Sequence, residues 1–339
     1  MVMAAAVAAM PAKLEHIAGG GEGAAGAEAK QIRFIEPFGV AFDSRGNYYV
    51  CEFKGHRVIR VDRAGKTSVA AGTGQMGFSG DGGRAEAAQL NDPHGIVISR
   101  GDQMFIADTH NNRVRKVDLK SGIITTVAGN GDAGYSGDGG PALKAAFHGI
   151  FAMELNPTSD KLYVADLSNR RVRVVDLKSG TVKTVAGNGD KGVPADGAVA
   201  EESPLVDPRA VAADGEGNVY VLERGGNALR VVDKAGRIRT LIAPGSVQPD
   251  LKGPKHLTMD RNGDVIIADA ENHLVRRYAV KTGKTQTIAG TGEAGDSIVS
   301  DDPVRSRLRR PHGVTVEALT GDLYISDSYN HRILKLSGR

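Results

Sequence analysis

Short apolar strands separated by tight polar turns recur along almost the entire chain. One strand ends in an acid (105–108, FIAD), and a polar loop leads from it to a strand of alternating character (113–118, RVRKVD). Alternation of apolar and charged residues is typical of a strand with one wet face. A Lys-Ser-Gly turn then precedes a fourth strand (124–129, ITTVAG). No segment has a helical period of useful length, so the pattern predicts an all-β chain.

The same four-strand unit occurs six times. Each unit opens with a motif of the Pro-x-Gly-Val kind, at residues 37–40, 93–96, 147–150, 208–211, 254–257 and 311–314. Each second strand ends in an acid: Glu52, Asp108, Asp166, Glu223, Asp269 and Asp327. Gly, Asn and Asp fill the turns between these strands, because they tolerate the positive φ angles of tight hairpins. Repeated four-stranded antiparallel units predict a six-bladed β-propeller.

The last unit stops after its third strand, and a matching strand lies at the other end of the chain. Residues 14–20 (LEHIAGG) match the fourth strand of another unit (184–188, TVAGN). We predict that this N-terminal strand completes the sixth blade, because closure removes an unpaired sheet edge. Residues 13–339 would then form a single propeller, preceded by a flexible tail or signal remnant at 1–12.

Composition and charge change this picture little. The chain has 43 Lys and Arg against 40 Asp and Glu, a net charge of +3 that requires neither nucleic acid nor a membrane as partner. Cys51 is the only cysteine, so no intrachain disulfide forms. No apolar run is long enough to span a bilayer, and we expect a soluble monomer.

The alanine-rich start has two interpretations. A signal remnant favours an extracytoplasmic location, whereas a tag or frayed tail indicates no compartment.

The repeats resemble the NHL family. The matching features are the Pro-x-Gly-Val opening, the Tyr-Val-Ala-Asp strand end and the Asn-containing loop, which are clearest at 108–114 (DTHNNRV) and 327–333 (DSYNHRI). The glycine-rich loops 77–83 and 134–140 look like those of bacterial members, and blade four departs most, at 223–228 (ERGGNA). The resemblance implies a propeller. Family members include RNA-binding, protein-binding and sensor domains and the metal-dependent peptidyl-α-hydroxyglycine α-amidating lyase, so the site must indicate the function.

The opening motif places one residue per blade at the start of the innermost strand. In blade order these are Phe38, His94, His148, Arg209, Lys255 and His312, with His256 one position later. If the blades are equivalent, they surround one mouth of the central channel. We predict a ligand site formed by Arg209, Lys255, His256 and Phe38. These groups should attract an anion, and protonation of the histidines should make the mouth more positive below neutral pH.

The histidines of this ring are also candidate metal ligands. His94, His148 and His312 are the predicted set for a divalent metal such as zinc, since neutral imidazole is a common zinc ligand. In the amidating lyase the zinc histidines lie at similar positions on alternate blades. Here alternate blades supply only two histidines or one, which departs from that pattern. Calcium is a second candidate, through Asp81, Asp132 and Asp138 of the glycine-rich loops, although their spacing matches no EF-hand.

The remaining charged motifs have structural interpretations. We expect each strand-end acid to cap its own loop and to pair with backbone N–H groups or, in four blades, with the arginine five residues later: Arg57, Arg113, Arg171 and Arg332. The basic run 305–310 (RSRLRR) leaves RNA binding open, but few aromatic residues accompany it. Two hypotheses therefore remain. The first is a binding or scaffold propeller for a protein, peptide or anionic small ligand. The second is a metal-dependent lyase or hydrolase, whose catalytic residues the sequence does not identify.

Overall fold

The chain folds as a ring of six four-stranded antiparallel sheets in the computed structural model, which describes residues 12–338. The prediction of a six-bladed propeller is confirmed. In the first half of the ring, blade one contains β2 (Pro37–Phe42), β3 (Tyr48–Glu52), β4 (Arg57–Val61) and β5 (Thr67–Ala71). Blade two contains β6 (Ile96–Ile98), β7 (Gln103–Asp108), β8 (Arg113–Asp118) and β9 (Ile123–Ala128). Blade three contains β10 (Ile150–Leu155), β11 (Lys161–Asp166), β12 (Arg171–Asp176) and β13 (Thr181–Ala186).

The second half of the ring repeats this order. Blade four contains β14 (Pro208–Ala213), β15 (Val219–Glu223), β16 (Ala228–Val232) and β17 (Ile238–Ile242). Blade five contains β18 (His256–Met259), β19 (Val265–Asp269), β20 (Leu274–Ala279) and β21 (Lys284–Ala289). Blade six contains β22 (Gly313–Val316), β23 (Leu323–Asp327), β24 (Arg332–Ser337) and β1 (Lys13–Gly19). In this order the innermost strand comes first, and the loops between blades reach the face at which each innermost strand begins.

The N-terminal strand closes the ring as predicted. β1 runs antiparallel to β24, with Leu14 opposite Leu336. Leu14 is fully buried and belongs to a core cluster with apolar residues of blades five and six. The tail assigned to residues 1–12 lies almost entirely outside the described residues and stays a prediction. No helix within residues 12–338 has the length and apolar character needed to cross a membrane.

Short 3-10 turns join the strands. Four follow second strands (Thr109–Asn111, Leu167–Asn169, Ala270–Asn272 and Ser328–Asn330), and four lie between blades (Ala85–Ala87, Ala142–Lys144, Ala200–Glu202 and Pro303–Arg305). A residue with positive φ ends each turn of the first group, and in two of the four it links its blade to the next. Asn112 accepts the N–H of Gly149 at 3.3 Å, and His273 accepts that of Arg310 at 3.1 Å. Because these bonds cross between blades, they fix the relative position of neighbouring sheets.

Candidate functional site

The buried acid of each blade sets the register of the innermost strand. All six acids are fully buried, and each accepts a backbone N–H from 17 or 18 residues upstream at 2.7–2.8 Å. The donors are Ile35, Asn91, His148, Val206, Lys252 and Arg309. The side chain three positions after the donor lies at the channel entrance. We call these six residues the mouth cluster: Phe38, His94, Phe151, Arg209, Lys255 and His312.

The placement of His148 in this ring is therefore wrong. The backbone N–H of His148 donates to the carboxylate of Asp166, and His148 is exposed at the surface. Phe151 takes the position at the mouth, where its ring packs 5.3 Å from that of His94. The Pro-x-Gly-like segment 147–150 favours a register in which His148 starts the innermost strand. In the structure that strand, β10, begins only at Ile150. Counting back from the strand-end acid of each blade, rather than forward from the opening motif, identifies Phe151 as the mouth residue of blade three.

Aromatic rings and imidazoles form one side of the mouth cluster. Phe38 stacks on His312 with ring centroids 4.3 Å apart and lies 4.5 Å from His94. Phe53 stacks on Phe38 at 5.0 Å, and Tyr329 stacks on His312 at 5.7 Å. Phe38, His94 and His312 are buried, whereas Tyr329 is 41% exposed. The exposed rings therefore extend an apolar surface outward from the mouth.

Arg209 begins the cationic side of the mouth cluster. Its guanidinium lies 4.2 Å from the centre of the Phe151 ring, and Nη2 lies 2.7 Å from Nε2 of His94. A guanidinium can only donate hydrogen bonds, so this imidazole nitrogen must accept and His94 must be neutral. Nη1 of Arg209 is buried and has no hydrogen-bond partner among the described residues. Burial, together with the nearby charge of Arg224, lowers the pKa of Arg209 to about 9.

Lys255 is the second cation of the mouth cluster. The residue is 6% exposed, and within residues 12–338 no carboxylate lies within ion-pair distance of its ammonium group. Burial lowers its pKa to about 8, and the charges of Arg209 and Arg224 act in the same direction. Glu271 opposes this shift from a distance, but its carboxylate is bonded to Arg310. Two buried positive charges therefore lie near each other, and neither forms an ion pair within residues 12–338, although Asp207 acts on Arg209 from a distance.

The two histidines of the mouth cluster do not supply further charge. Burial and then the charge of Arg209 lower the pKa of His94 well below its usual value. Burial and then the charge of Lys255 do the same for His312. The expectation that the mouth becomes more positive just below neutral pH is therefore wrong. The sequence could not indicate this result, because it depends on cations contributed by other blades.

His256 lies deeper in the channel than the mouth cluster. Its Nδ1 is 3.1 Å from the backbone oxygen of Val314. Burial is the main reason that its pKa falls to about 4. Its side chain lines a cavity of about 280 Å³ within the channel. The structure thus brings Phe38, Arg209 and Lys255 together at the mouth and places His256 below them.

No group of three or more His, Cys, Asp or Glu side chains within residues 12–338 is arranged to hold a metal ion. The proposed set of His94, His148 and His312 is not assembled, since His148 is not at the mouth. The aspartates considered for calcium have other partners. Asp81 and Asp138 form ion pairs with Arg115 and Arg173 at 2.8 and 2.5 Å.

The strand-end acids do cap their loops, but their arginine partners differ from the expected ones. Glu52 and Asp327 pair with the arginine five residues later, Arg57 and Arg332. The other four acids pair with the arginine seven residues later: Arg115, Arg173, Arg230 and Arg276. In the basic run, Arg307 pairs with Glu293 and Arg310 with Glu271, which leaves less free charge than the sequence suggests.

A six-bladed ring with a polar cluster at its channel mouth defines the class of this protein as a β-propeller with a candidate ligand site on its loop face. Residues 68–134 and 142–249 match the model of the Teneurin NHL domain, and residues 308–336 match that of the NHL repeat. The chain belongs to the NHL-repeat β-propeller family.

Several curated proteins are similar over most of this chain. NHL repeat-containing protein 2 of Gallus gallus is 26% identical over 88% of the chain and 46% of its own length. The chloroplastic protein SUPPRESSOR OF QUENCHING 1 of Arabidopsis thaliana is 23% identical over 76% of the chain and 26% of its own length. The chain therefore spans less than half the length of these relatives.

Solved structures share the fold at low identity. An auxiliary nutrient binding protein from Bacteroides thetaiotaomicron superposes with a TM-score of 0.68 at 14% identity, covering 96% of this chain and 76% of that one. Virginiamycin B lyase from Staphylococcus aureus has a TM-score of 0.57 at 13% identity, covering 96% and 99%. At such identities the likeness concerns the fold alone.

Proposed function

We propose that this protein is a binding module that holds a carboxylate- or phosphate-bearing ligand at the mouth of its channel. The observation that carries the proposal is the pair of buried cations, Arg209 and Lys255, neither of which has a carboxylate partner within residues 12–338. Burying an unpaired charge costs several kcal/mol. A bound anion would offset that cost and would gain charge-assisted hydrogen bonds.

The surroundings of the two cations fit this role. Phe151 and His94 hold the guanidinium of Arg209 in one orientation, while the stacked pair of Phe38 and His312 closes the opposite wall. The exposed Arg224 lies close enough to lower the pKa of both cations. Positive charges that converge on an apolar wall favour an incoming anion, because little solvent screens them there.

Two further considerations favour ligand binding over the alternative. The propeller of the Bacteroides nutrient binding protein is similar in fold, which is compatible with a ligand-binding role here. The metal-dependent lyase or hydrolase would need a ligand set, and none is assembled within the part of the chain that the structure describes. A lyase with the same fold therefore provides only an analogy.

Isothermal titration with citrate and with inorganic phosphate tests the proposal. We expect saturable binding to the intact protein and at least about tenfold weaker binding to Arg209→Met and Lys255→Met, since each loses one charge-assisted contact. Lys284→Met, which removes an exposed lysine of β21, is the matched control and should bind normally. Absence of binding to the intact protein, or equal affinity in all variants, would contradict the proposal.

A further inference from the structure

One innermost strand departs from the repeat at a position that faces the channel. Glu154 of β10 stands opposite Tyr163 in the neighbouring strand. At the same register the other five blades carry small, uncharged side chains: Ala41, Val97, Ala212, Thr258 and Thr315. An acid in one blade only cannot be explained by a requirement of the repeated fold.

A second departure occurs on β18. His256 stands opposite Ala268, at the register where other innermost strands carry only glycine or alanine: Ala152, Ala210 and Gly313. The two departures thus place a carboxylate and an imidazole on different blades. Such breaks in a repeat are expected at functional positions, because the fold itself does not need them.

Both side chains line the same cavity. Its volume is about 280 Å³, and its wall includes the apolar side chains of Val40, Val97 and Leu155. Pro157 and Ala318, which belong to turns after the innermost strands, also line it. The cavity therefore opens toward the end of the channel opposite the mouth cluster, and its volume is near the lower limit of small-molecule sites.

The carboxylate in this cavity has almost no hydrogen-bond donors. Glu154 accepts one bond, from the backbone N–H of Leu155 at 3.0 Å, and within residues 12–338 it forms no ion pair. Burial raises its pKa to about 7. An ionised carboxylate ordinarily accepts several hydrogen bonds, so this one has capacity for a donor that residues 12–338 do not supply.

Two polar groups near Glu154, His256 and Thr315, present acceptors, whereas the one cation of the wall, Arg100, is exposed and forms no ion pair with Glu154. Because Nδ1 of His256 faces a carbonyl oxygen, it carries the proton, and Nε2 is left with a free lone pair. The imidazole makes no second hydrogen bond within the described residues. The hydroxyl of Thr315 donates its proton to the backbone oxygen of Val40 at 2.8 Å. A ligand that bonds to both Glu154 and His256 must therefore bring hydrogen-bond donors, and a positive charge on it would complement the carboxylate.

We propose that this cavity binds a small organic ammonium compound, whose nitrogen donates to Glu154 and His256 and whose alkyl part packs against Val40 and Val97. An ammonium group carries three donors and one positive charge, which complements a carboxylate and a neutral imidazole. A metal ion fits less well, because structural and catalytic metal sites use at least three protein ligands. The site is separate from the anion site at the mouth and does not depend on it.

NMR titration at pH 8, where Glu154 is ionised, tests the proposal with n-butylammonium and its neutral isostere n-butanol. We expect n-butylammonium to bind the intact protein at least about tenfold more tightly than n-butanol. Equal binding of the two probes, or no binding of the cation, would overturn the proposal without any variant. This outcome would leave the anion site untouched, because citrate binding is measured separately.

Substitution then locates the binding. Glu154→Gln should weaken n-butylammonium binding about tenfold or more. Glu216→Gln, which changes an exposed acid of a turn, should not alter it. Nα-acetyl-lysine amide serves as a second probe. The same dependence on Glu154 would support the ammonium chemistry and show that the cavity accepts a lysine side chain. An unchanged affinity in Glu154→Gln, with the folded protein verified by its melting temperature, would refute the assignment.

Discussion

Lys255 and Arg209 are the residues on which the functional proposal depends. Both are buried positive charges, and each adds to the electrostatic cost of the other. Groups that lower stability persist in proteins where binding requires them. Their removal should therefore stabilise the fold while it abolishes the site, which separates a functional role from a structural one.

Lys255→Met tests this statement through the free energy of unfolding. At pH 7 the substitution should raise it by about 1–3 kcal/mol, because an uncompensated buried charge is removed and the side-chain volume is nearly kept. The pKa of Lys255 in the folded protein, about 8, lies below the ordinary lysine value of 10.5. The unfolded chain therefore binds more protons between these two pH values, so the native protein gains stability as the pH rises through this window.

The advantage of Lys255→Met should accordingly shrink from pH 8 to pH 10. Urea unfolding of both proteins across this range measures the difference in their free energy of unfolding. Because both proteins contain the same tyrosines, the effect of tyrosine titration drops out of this difference. A variant that is less stable than the native protein at pH 7 would show that Lys255 has a stabilising partner, and the argument from an unpaired charge would fail.

The pH dependence of anion binding provides a second prediction. Because burial and the nearby cations keep His94 and His312 neutral, the affinity for phosphate-free probes such as sulfate should change little between pH 7 and pH 5.5. It should fall above pH 8 as Lys255 loses its proton. Titration calorimetry over this range provides the measurement. A strong rise in affinity on acidification would mean that the histidines titrate, contrary to their burial.

Individual residues also show how far the sequence could lead. Five of the six mouth positions followed from the opening motif, whereas Phe151 was missed because segment 147–150 imitates that motif. The protonation states could not be predicted at all. They result from side chains on different blades, whose proximity the sequence does not contain.

The four-stranded blade with its buried acid is the repeated element of the structure. Asp269 accepts the N–H of Lys252 and binds Asn272 and Arg276. One carboxylate thus ties the entry to the innermost strand to the second and third strands of the same blade. The strand pattern predicted the acid and its capping role, because both repeat in every unit.

Asp269→Ala should destabilise the protein by about 3–5 kcal/mol, since it leaves the buried guanidinium of Arg276 and the backbone N–H of Lys252 without their acceptor. Asp301→Ala removes an exposed acid and is the matched control. Chemical unfolding of both variants gives the comparison. A loss below about 1 kcal/mol for Asp269→Ala would mean that water replaces the carboxylate and that the acid does not hold the blade together.

The choice of arginine partner was not predictable from the pattern of blades two and three, the two blades that carry an arginine both five and seven residues after the acid. Residues five and seven positions after the acid lie on the same side of the third strand, so both satisfy the alternation. In blades two and three the nearer arginines, Arg113 and Arg171, instead stack on Phe78 and Tyr135 of the inter-blade loops. The loops decide the pairing, and their conformation does not follow from the repeat.

Closure by the N-terminal strand is the property of the whole molecule that the sequence predicted most directly. Its basis was a missing fourth strand and one matching segment, and the structure pairs Lys13–Gly19 with β24. Deleting residues 1–20 should lower the melting temperature by about 10 °C or more, because the edge of blade six and its apolar residues become exposed.

A chain beginning at residue 12 keeps the whole strand and is the control for this deletion. Its melting temperature should equal that of the intact protein. If removal of residues 1–20 also leaves the melting temperature unchanged, β1 does not hold the ring closed, and the structural basis of the closure would be wrong.

The central claim is that the buried cations at the mouth of the channel bind an anion and lower the stability of the unliganded fold. Its most direct test is thermal melting of the native protein and of Lys255→Met in about 10 mM citrate and in sodium chloride of matched ionic strength. We predict that the variant melts at a higher temperature in chloride and that citrate raises the melting temperature of the native protein clearly more than that of the variant. An equal citrate-induced increase in both proteins, or none in either, would contradict the account.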